Sequence, residues 1–458
     1  MGKNLGTGDL VVSRHKVVSR NNIDNHARKK PFLNSLLFVT LVLSWGVTFL
    51  LYQYSNGLLG HYDSGRYQEI ATAITGGGGP FKIPGDQWRG FFYPTILAIT
   101  QLIGSSIGIP PQLAVFILQL GVYIVVCLYI LREMRSFASE KMVFRAHIVL
   151  GANLFVSPYF SLTLTDSLYT SMALAMIFWA WTKLNESTKP KIWPGVLFFS
   201  LAVAIRPAAM WLLFPLLIAV VVLLYRGKIP LIREAILSVI ALAPLAFQSA
   251  VNFRNFGVFS PLPVADLGGS QVKWGVENVK YATWTGPGSA ANFYPSSSFI
   301  GPYDGSGVFW YLQNPIEAMR LIFTKLVGAF DFDYLVPYPN QAYELSWITS
   351  SLSFMVLLTS ILVLIRHSMG LGVFSGLGPR WFPITVFISW AALTLLSALE
   401  LRFTLPILIY LSLVSLWFPR DFSAMSRRGR TYVTVYFLAG LTILWSIAIF
   451  VRSLAISG

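Results

Sequence analysis

Cysteine is almost absent from this chain of 458 residues: the one present, Cys127, lies in an apolar run. That excludes a disulfide framework and a thiol metal site. Charge is scarce too, with Asp, Glu, Lys and Arg at 12% where soluble globular proteins carry about 25%. A water-solvated fold is therefore excluded as the main architecture. His15, His26, His61, His147 and His367 are scattered without metal-ligand spacing, and no Ser-His-Asp arrangement can be argued from them. The glycine run Gly76–Gly79 lacks the Gly-Lys-Ser/Thr of a phosphate loop and reads as a flexible link. No small-residue cleavage site follows the first apolar stretch, which makes that stretch a retained anchor. There is no internal repeat.

Long apolar runs take the place of all this. The chain is 55% hydrophobic with a mean hydropathy of +0.62, and several runs approach or exceed the roughly 20 residues that cross a bilayer. The net charge of +15 would suit nucleic acid, but its distribution argues against that partner. Residues 1–31 carry +5, and the stretches 132–145, 183–192, 226–234, 366–380 and 420–430 carry +2, +2, +2, +2 and +3, whereas 55–90 is neutral and 252–345 carries −2. This is the positive-inside asymmetry of a polytopic membrane protein. The basic tail 1–31 and the basic loops are cytoplasmic, and 55–90 and 252–345 face outward.

The expected fold is all-α. A first transmembrane helix, 32–54, leads into an outer loop, 55–90, and then a membrane core, 91–251. An outer loop domain, 252–345, precedes C-terminal membrane helices in 346–458. Three long runs hold one ionisable interruption each: Asp166 in 146–182, Arg206 in 193–225 and the pair Glu400/Arg402 in 381–419. Each suits a hairpin that turns at its interruption, and all three turns fall on the outer side, with Asp63. The run 91–131 is read as a short interfacial or re-entrant piece, 91–104, followed by a crossing, 112–131. The total is about eleven crossings, within roughly 10 to 13. In the outer domain, Asn314-Pro315 opens a helix over 315–329, with Asn as N-cap and Glu317 in the first turn. Its aromatics (Trp274, Tyr281, Trp284, Phe293, Tyr294, Trp310, Tyr311) suit a packed cap over the membrane.

The first charge after Lys30 is Asp63, in His61-Tyr62-Asp63-Ser64-Gly65-Arg66-Tyr67. It reads either as a general base tuned by burial and Arg66 or as a loop-fixing partner of Arg66. Asp166 reads as a helix N-cap or as an ionisable group placed for function within the membrane domain. Together the two acids could hold a divalent cation such as Mg or Mn through oxygen ligands. Arg206, Arg402 and Arg254 suit a phosphate, which guanidinium binds bidentately; Glu400 and Arg402 could also simply neutralise each other.

Five segments, in order, resemble the GT-C superfamily of polytopic glycosyltransferases, which includes bacterial relatives of protein O-mannosyltransferases and the aminoarabinose transferases acting on lipid A. They are Asp63-Ser64-Gly65-Arg66-Tyr67 with Ile70-Ala71; Arg89-Gly90-Phe91-Phe92-Tyr93-Pro94; Ala204-Ile205-Arg206-Pro207; Arg254-Asn255-Phe256-Gly257-Val258-Phe259 within 252–261; and Glu400 through Pro406. The resemblance implies a polyprenyl-phosphate-linked sugar donor, a glycan, lipid or protein acceptor, and inverting transfer on the outer face of a bacterial plasma membrane. It also implies that Asp63 matches the catalytic acid and Asp166 the acid of the next outer loop, with Arg66, Tyr67, Arg89, Arg206, Arg254, Glu400 and Arg402 on the substrates. Many relatives carry a second acid where this chain has Ser64. Two other classes use a basic outer cluster: a transporter or flippase for lipid-linked sugars, and a polymerase or ligase for preassembled glycans.

Overall fold

A computed structural model describes residues 35, 38–44, 46, 63–81, 87–185, 191–226, 230–265, 267–283, 291–333, 346–371 and 379–457. The tail 1–31, most of 32–54, His61, Tyr62, Trp284 and 334–345 lie outside the described residues.

Among the described residues, four helices are long and apolar enough to cross a membrane: Pro111–Met134, Pro207–Tyr225, Ser346–Ser368 and Arg427–Ser453. A fifth span forms if Leu231–Ala241 and Ala243–Phe256 are taken together across their 44° bend. Pro244 stands at the start of the second piece, where it removes a backbone donor and breaks the ladder. Large apolar side chains such as Val125, Val221, Leu438 and Ile449 are exposed, as they are where lipid is the solvent. The protein is a helical membrane protein.

The helix Asp166–Asn185 is buried along almost its whole length, and the bundle is built around it. A helix apolar on every side has no solvent face to offer, and this one is wrapped by Pro111–Met134, Trp193–Ile205, Leu213–Tyr225 and Leu405–Ser415. Trp181 stacks on Phe178 and packs against Tyr410 and Trp417. A Cβ at Gly195 would stand 2.2 Å from the Trp179 ring, so the neighbouring helix comes this close only because that residue is glycine. Buried Glu234 accepts the backbone N–H of Ile192 at 2.7 Å, satisfying an amide where the Trp193–Ile205 helix begins.

The three expected turns are present, though their arms differ from two even helices. Trp193–Ile205 and Leu213–Tyr225 flank Arg206, whose extended backbone (φ −146°, ψ 114°) follows from the proline after it, which disfavours the helical region. Phe382–Thr394 and Leu405–Ser415 flank Glu400 and Arg402. The arm leading to Asp166 is shorter than expected. Its helix is Glu140–Gly151, about 18 Å at 1.5 Å per residue, and 152–165 is irregular with one tight turn at Ser157–Phe160. Phe92–Ser106 is a 15-residue helix, short of a full crossing, and Gly108 (φ +74°) turns the chain into Pro111–Met134.

The segment 252–345 holds the helix Pro315–Phe330 at the expected place, but the Asn314 side chain donates to the Trp310 carbonyl rather than capping it. A purely α-helical fold was expected, yet a small antiparallel sheet is also present. Strands Asn278–Thr283 and Ala291–Pro295 pair with each other, and Ile456–Ser457 adds a third from the end of the chain. Trp310, Tyr311 and Tyr294 are buried with Val276, Val279 and Leu321, while Trp274 and Phe293 stay exposed. Lys325 is buried, and its ammonium donates to the carbonyls of Gly275 (2.8 Å) and Ser397 (2.5 Å), tying three segments together.

A buried ion cluster fixes this region to the last membrane helix. Asp331 pairs with Lys280 at 3.0 Å and with Arg452 at 2.6 Å, and accepts Ser350 Oγ at 2.8 Å. Lys280 also reaches Asp333, which accepts the Tyr294 hydroxyl. Removing one member strands the others, at about 3–5 kcal/mol for a broken buried pair. Asp331→Ala should therefore lower the thermal unfolding temperature in detergent sharply, whereas a shift no larger than that of a surface substitution would show the cluster to be dispensable.

Candidate active site

Six ionisable side chains meet at one end of the bundle, each placed by a helix boundary. Asp63 opens the helix Asp63–Ala73, where a carboxylate favours the N-terminal dipole. Arg89 lies just before Phe92–Ser106, Asp166 opens its buried helix, Arg206 occupies the break before Pro207, and Glu400 and Arg402 sit at the turn before Leu405–Ser415.

The Asp63 carboxylate bridges two guanidiniums. Its Oδ1 accepts from Arg89 Nη2, and its Oδ2 accepts from Arg402 Nη2 at 2.8 Å. Arg402 also holds Glu400, with Nη2 to Oε1 at 3.0 Å and Nε against Oε2, and its Nη1 stands 3.8 Å from Asp166 Oδ2. Asp166 Oδ1 accepts from Arg206 Nη1 at 2.5 Å, and that nitrogen also reaches Thr165 Oγ1 at 2.9 Å. The Arg206 guanidinium lies 4.4 Å from the centre of the Phe403 ring and 5.9 Å from that of Tyr169. Three carboxylates and three guanidiniums thus form one continuous chain of contacts with Arg402 in its middle.

Two tyrosines line the same place. Tyr67 meets Tyr93 edge to face, with ring centres 5.1 Å apart, and Arg89 stands 5.7 Å over the Tyr67 ring. Burial and the Asp63 charge raise the Tyr67 phenol above its ordinary pKa, against the pull of Arg206, Arg89 and Arg402. The buried Tyr93 hydroxyl and Asp166 Oδ2 have no hydrogen-bond partner among the described residues. Buried polar atoms are normally paired, and exceptions commonly mark a place that a ligand or water completes.

A cavity of about 640 Å³ runs along the helix Asp63–Ala73 on the face away from Asp63, within the roughly 300–1,000 Å³ typical of ligand pockets. Ser64, Gln68, Glu69 and Thr72 line it from the helix of Asp63, Ser161 and Thr163 from the segment leading to Asp166, and Gln112 from a third side. Hydroxyls, amides and one carboxylate make a surface suited to a polyhydroxylated group rather than to an anion.

Several expected roles change. Arg66 pairs with Glu69 at 2.7 Å on an exposed face, so the loop-fixing partners of Asp63 are Arg89 and Arg402. Arg254 is exposed at the end of Ala243–Phe256 and makes no ion pair among the described residues. The Asp166 carboxylate turns to Arg206 instead of capping its helix, and Glu400 is one of three carboxylates on Arg402 rather than its sole counter-ion. For a divalent cation the donor set is poorly arranged. Both Asp63 oxygens and one of Asp166 already serve guanidiniums. Arg402 itself fills the place where three carboxylates converge.

Gln248, which no sequence motif singles out, stands one turn before Asn252 in the helix Ala243–Phe256. Its Oε1 accepts the backbone N–H of Phe91 (2.7 Å) and Phe92 (3.1 Å), and its Nε2 donates to Asn252, which in turn holds the carbonyls of Ser260 and Leu262. A Cβ at Gly90 would meet Gln248 Oε1 at 3.3 Å. This relay anchors the two residues that follow Arg89-Gly90 and so positions Arg89.

Burial alone would raise the Asp63 carboxyl, but Arg402 and then Arg89 outweigh it and hold the group well below its ordinary value of 3.8. A carboxylate depressed in the folded state stabilises the fold above its unfolded pKa, and that contribution fades as pH falls through the folded value. The stability difference between wild type and Asp63→Asn should stay constant above about pH 5 and shrink only below about pH 4, as read by thermal unfolding. A difference that shrinks between pH 7 and 6 would mean that the arginines do not govern this group.

No family model, no curated protein and no solved structure matches the chain, so what the site does has to be argued from its geometry.

Proposed function

We propose that the chain is a GT-C-type glycosyltransferase of a bacterial plasma membrane, with about eleven crossings, a cytoplasmic N-terminus and its site on the outer face. It moves a sugar from a polyprenyl-phosphate donor to a hydroxyl of a glycan, lipid or protein acceptor, with inversion at C1. The observation that carries this reading is a carboxylate held by two guanidiniums at the start of a helix whose other face lines a polar cavity, in a membrane protein. Arginines suit the phosphate and the cavity suits a sugar. Of the two acids, Asp63 is the accessible one, at 29% exposure against none for Asp166.

In the reaction, the acceptor oxygen bonds to C1 while its proton passes to Asp63. The bond from C1 to the phosphate oxygen breaks, and its electron pair leaves on the phosphate. Charge develops on that phosphate in the transition state, where preorganised guanidiniums stabilise it most. Asp166, buried and bound to Arg206, positions the arginine cluster and touches no reacting atom. No step requires a divalent cation, because Arg402 already supplies positive charge among the carboxylates.

Asp63→Asn, at normal membrane abundance, should lower transfer from a polyprenyl-phosphate sugar by about 10²–10⁴-fold, the usual contribution of a general base. Turnover near that of wild type would sink the assignment. Mass spectrometry of membrane lipids and glycans from a deletion strain should show one sugar missing from its acceptor; a lipid-linked sugar that is merely relocated would indicate transport instead.

A further inference from the structure

Asp63 is more than a base waiting for a proton: in this structure it is also a ligand. Its two oxygens each take one guanidinium, Arg89 on one and Arg402 on the other. Two oxygens on a single central atom, each meeting a different guanidinium, is also the pattern that two peripheral oxygens of one phosphate group present. A pyrophosphate would spread its oxygens over two centres.

We propose that Arg89 and Arg402 form a seat for a phosphate monoester, which the Asp63 carboxylate fills in the ligand-free protein and yields to the incoming anion. The inference rests on the glycosyltransferase reading and names the ligand its arginines take. Three observations select this pair from the cluster. Arg206 pairs with Asp166 and Thr165 rather than with Asp63, and lies against Phe403. Arg89 and Asp63 are the accessible members, at 26% and 29%, so an anion can reach that end of the chain of contacts. Arg254 makes no ion pair among the described residues and stands apart from the cluster.

The exchange favours phosphate on charge. A phosphate monoester carries about −1.5 to −2 at pH 7 and three strong acceptor oxygens, against one charge and two oxygens for Asp63. Displaced from both guanidiniums, the carboxylate loses the partners that suppress its basicity. It becomes a competent base only while the phosphate site is filled. In the proposed reaction the same seat receives the departing polyprenyl phosphate.

The competition makes an unusual demand: the substitution that abolishes transfer should improve phosphate binding. Full-length protein in detergent would be titrated with dodecyl phosphate by calorimetry. Asp63→Asn should bind it about tenfold or more tightly than wild type, and Arg89→Gln should lose it. Arg89 lies at the rim, and its variant should stay monodisperse even if the buried Arg402→Gln does not. Competition by inorganic phosphate would place the affinity in the headgroup, and absence of competition would assign the seat to a lipid phosphate; either supports it. Unchanged or weaker binding by Asp63→Asn would overturn the exchange while leaving the glycosyltransferase reading intact. Failure of dodecyl phosphate to bind both wild type and Asp63→Asn would remove the phosphate reading itself.

Discussion

The ion cluster at the end of this bundle depends on the guanidinium of Arg402, which contacts Asp63, Glu400 and Asp166 at once. A buried charge costs several kcal/mol unless it is paired and hydrogen-bonded. Arg402 meets that cost by drawing carboxylates from three separate segments, the start of Asp63–Ala73, the buried helix Asp166–Asn185 and the turn before Leu405–Ser415. Those segments lie far apart in sequence, and this one side chain closes them against each other. With Arg402 in its place, Arg89 and Arg206 complete the outer two carboxylates, and no acid in the cluster is left without a cation.

The frame around that contact is polar wherever it must be rigid. Gln248 and Asn252 hold the chain just after Arg89-Gly90, and Lys325 joins the outer helix to the 395–399 stretch that precedes Glu400. Asp331, Lys280 and Arg452 lock the outer region to the last membrane helix. In lipid, apolar side chains gain little by packing against each other rather than against acyl tails, so hydrogen bonds and close steric fit carry more of the specificity. Gly195 beneath Trp179 is one such fit, and the ion clusters are the other device.

Much of the site was legible because charge is so rare here. An ionisable residue inside a 35-residue apolar run needs a turn or a partner, and charge asymmetry put all the turns on one side. The sequence alone thus groups Asp63, Asp166, Arg206, Glu400 and Arg402. The pairing within the group was not legible. Arg66, three residues from Asp63, was the obvious partner by proximity, yet helical spacing hands it to Glu69, and Arg89 arrives from 26 residues away. Arg254 looked like a third cation for the same anion, but the helix Ala243–Phe256 leaves it exposed at its end. In the fold, the third strand, Ile456–Ser457, had no signal, since two residues carry no alternation to read. The irregular stretch 152–165 was hidden for a related reason: apolar periodicity cannot tell a largely buried loop from a buried helix.

The count of charges explains why one carboxylate can be both ligand and base. Asp63, Asp166 and Glu400 balance Arg89, Arg206 and Arg402, so the resting cluster is neutral. A sugar-phosphate-lipid donor is a diester with one negative charge, and the monoester it leaves carries up to about two. In the proposed reaction the proton that quenches Asp63 arrives as that extra charge appears, so the cluster turns positive by one unit while the phosphate turns negative by one. Low basicity in the resting state then presents no conflict with catalysis, because the arginines that suppress it are the ones the leaving group needs. Handing them from carboxylate to phosphate strengthens the base and stabilises the leaving group in one movement. Charge is relocated over a few ångströms among preorganised groups rather than created in a medium that cannot solvate it.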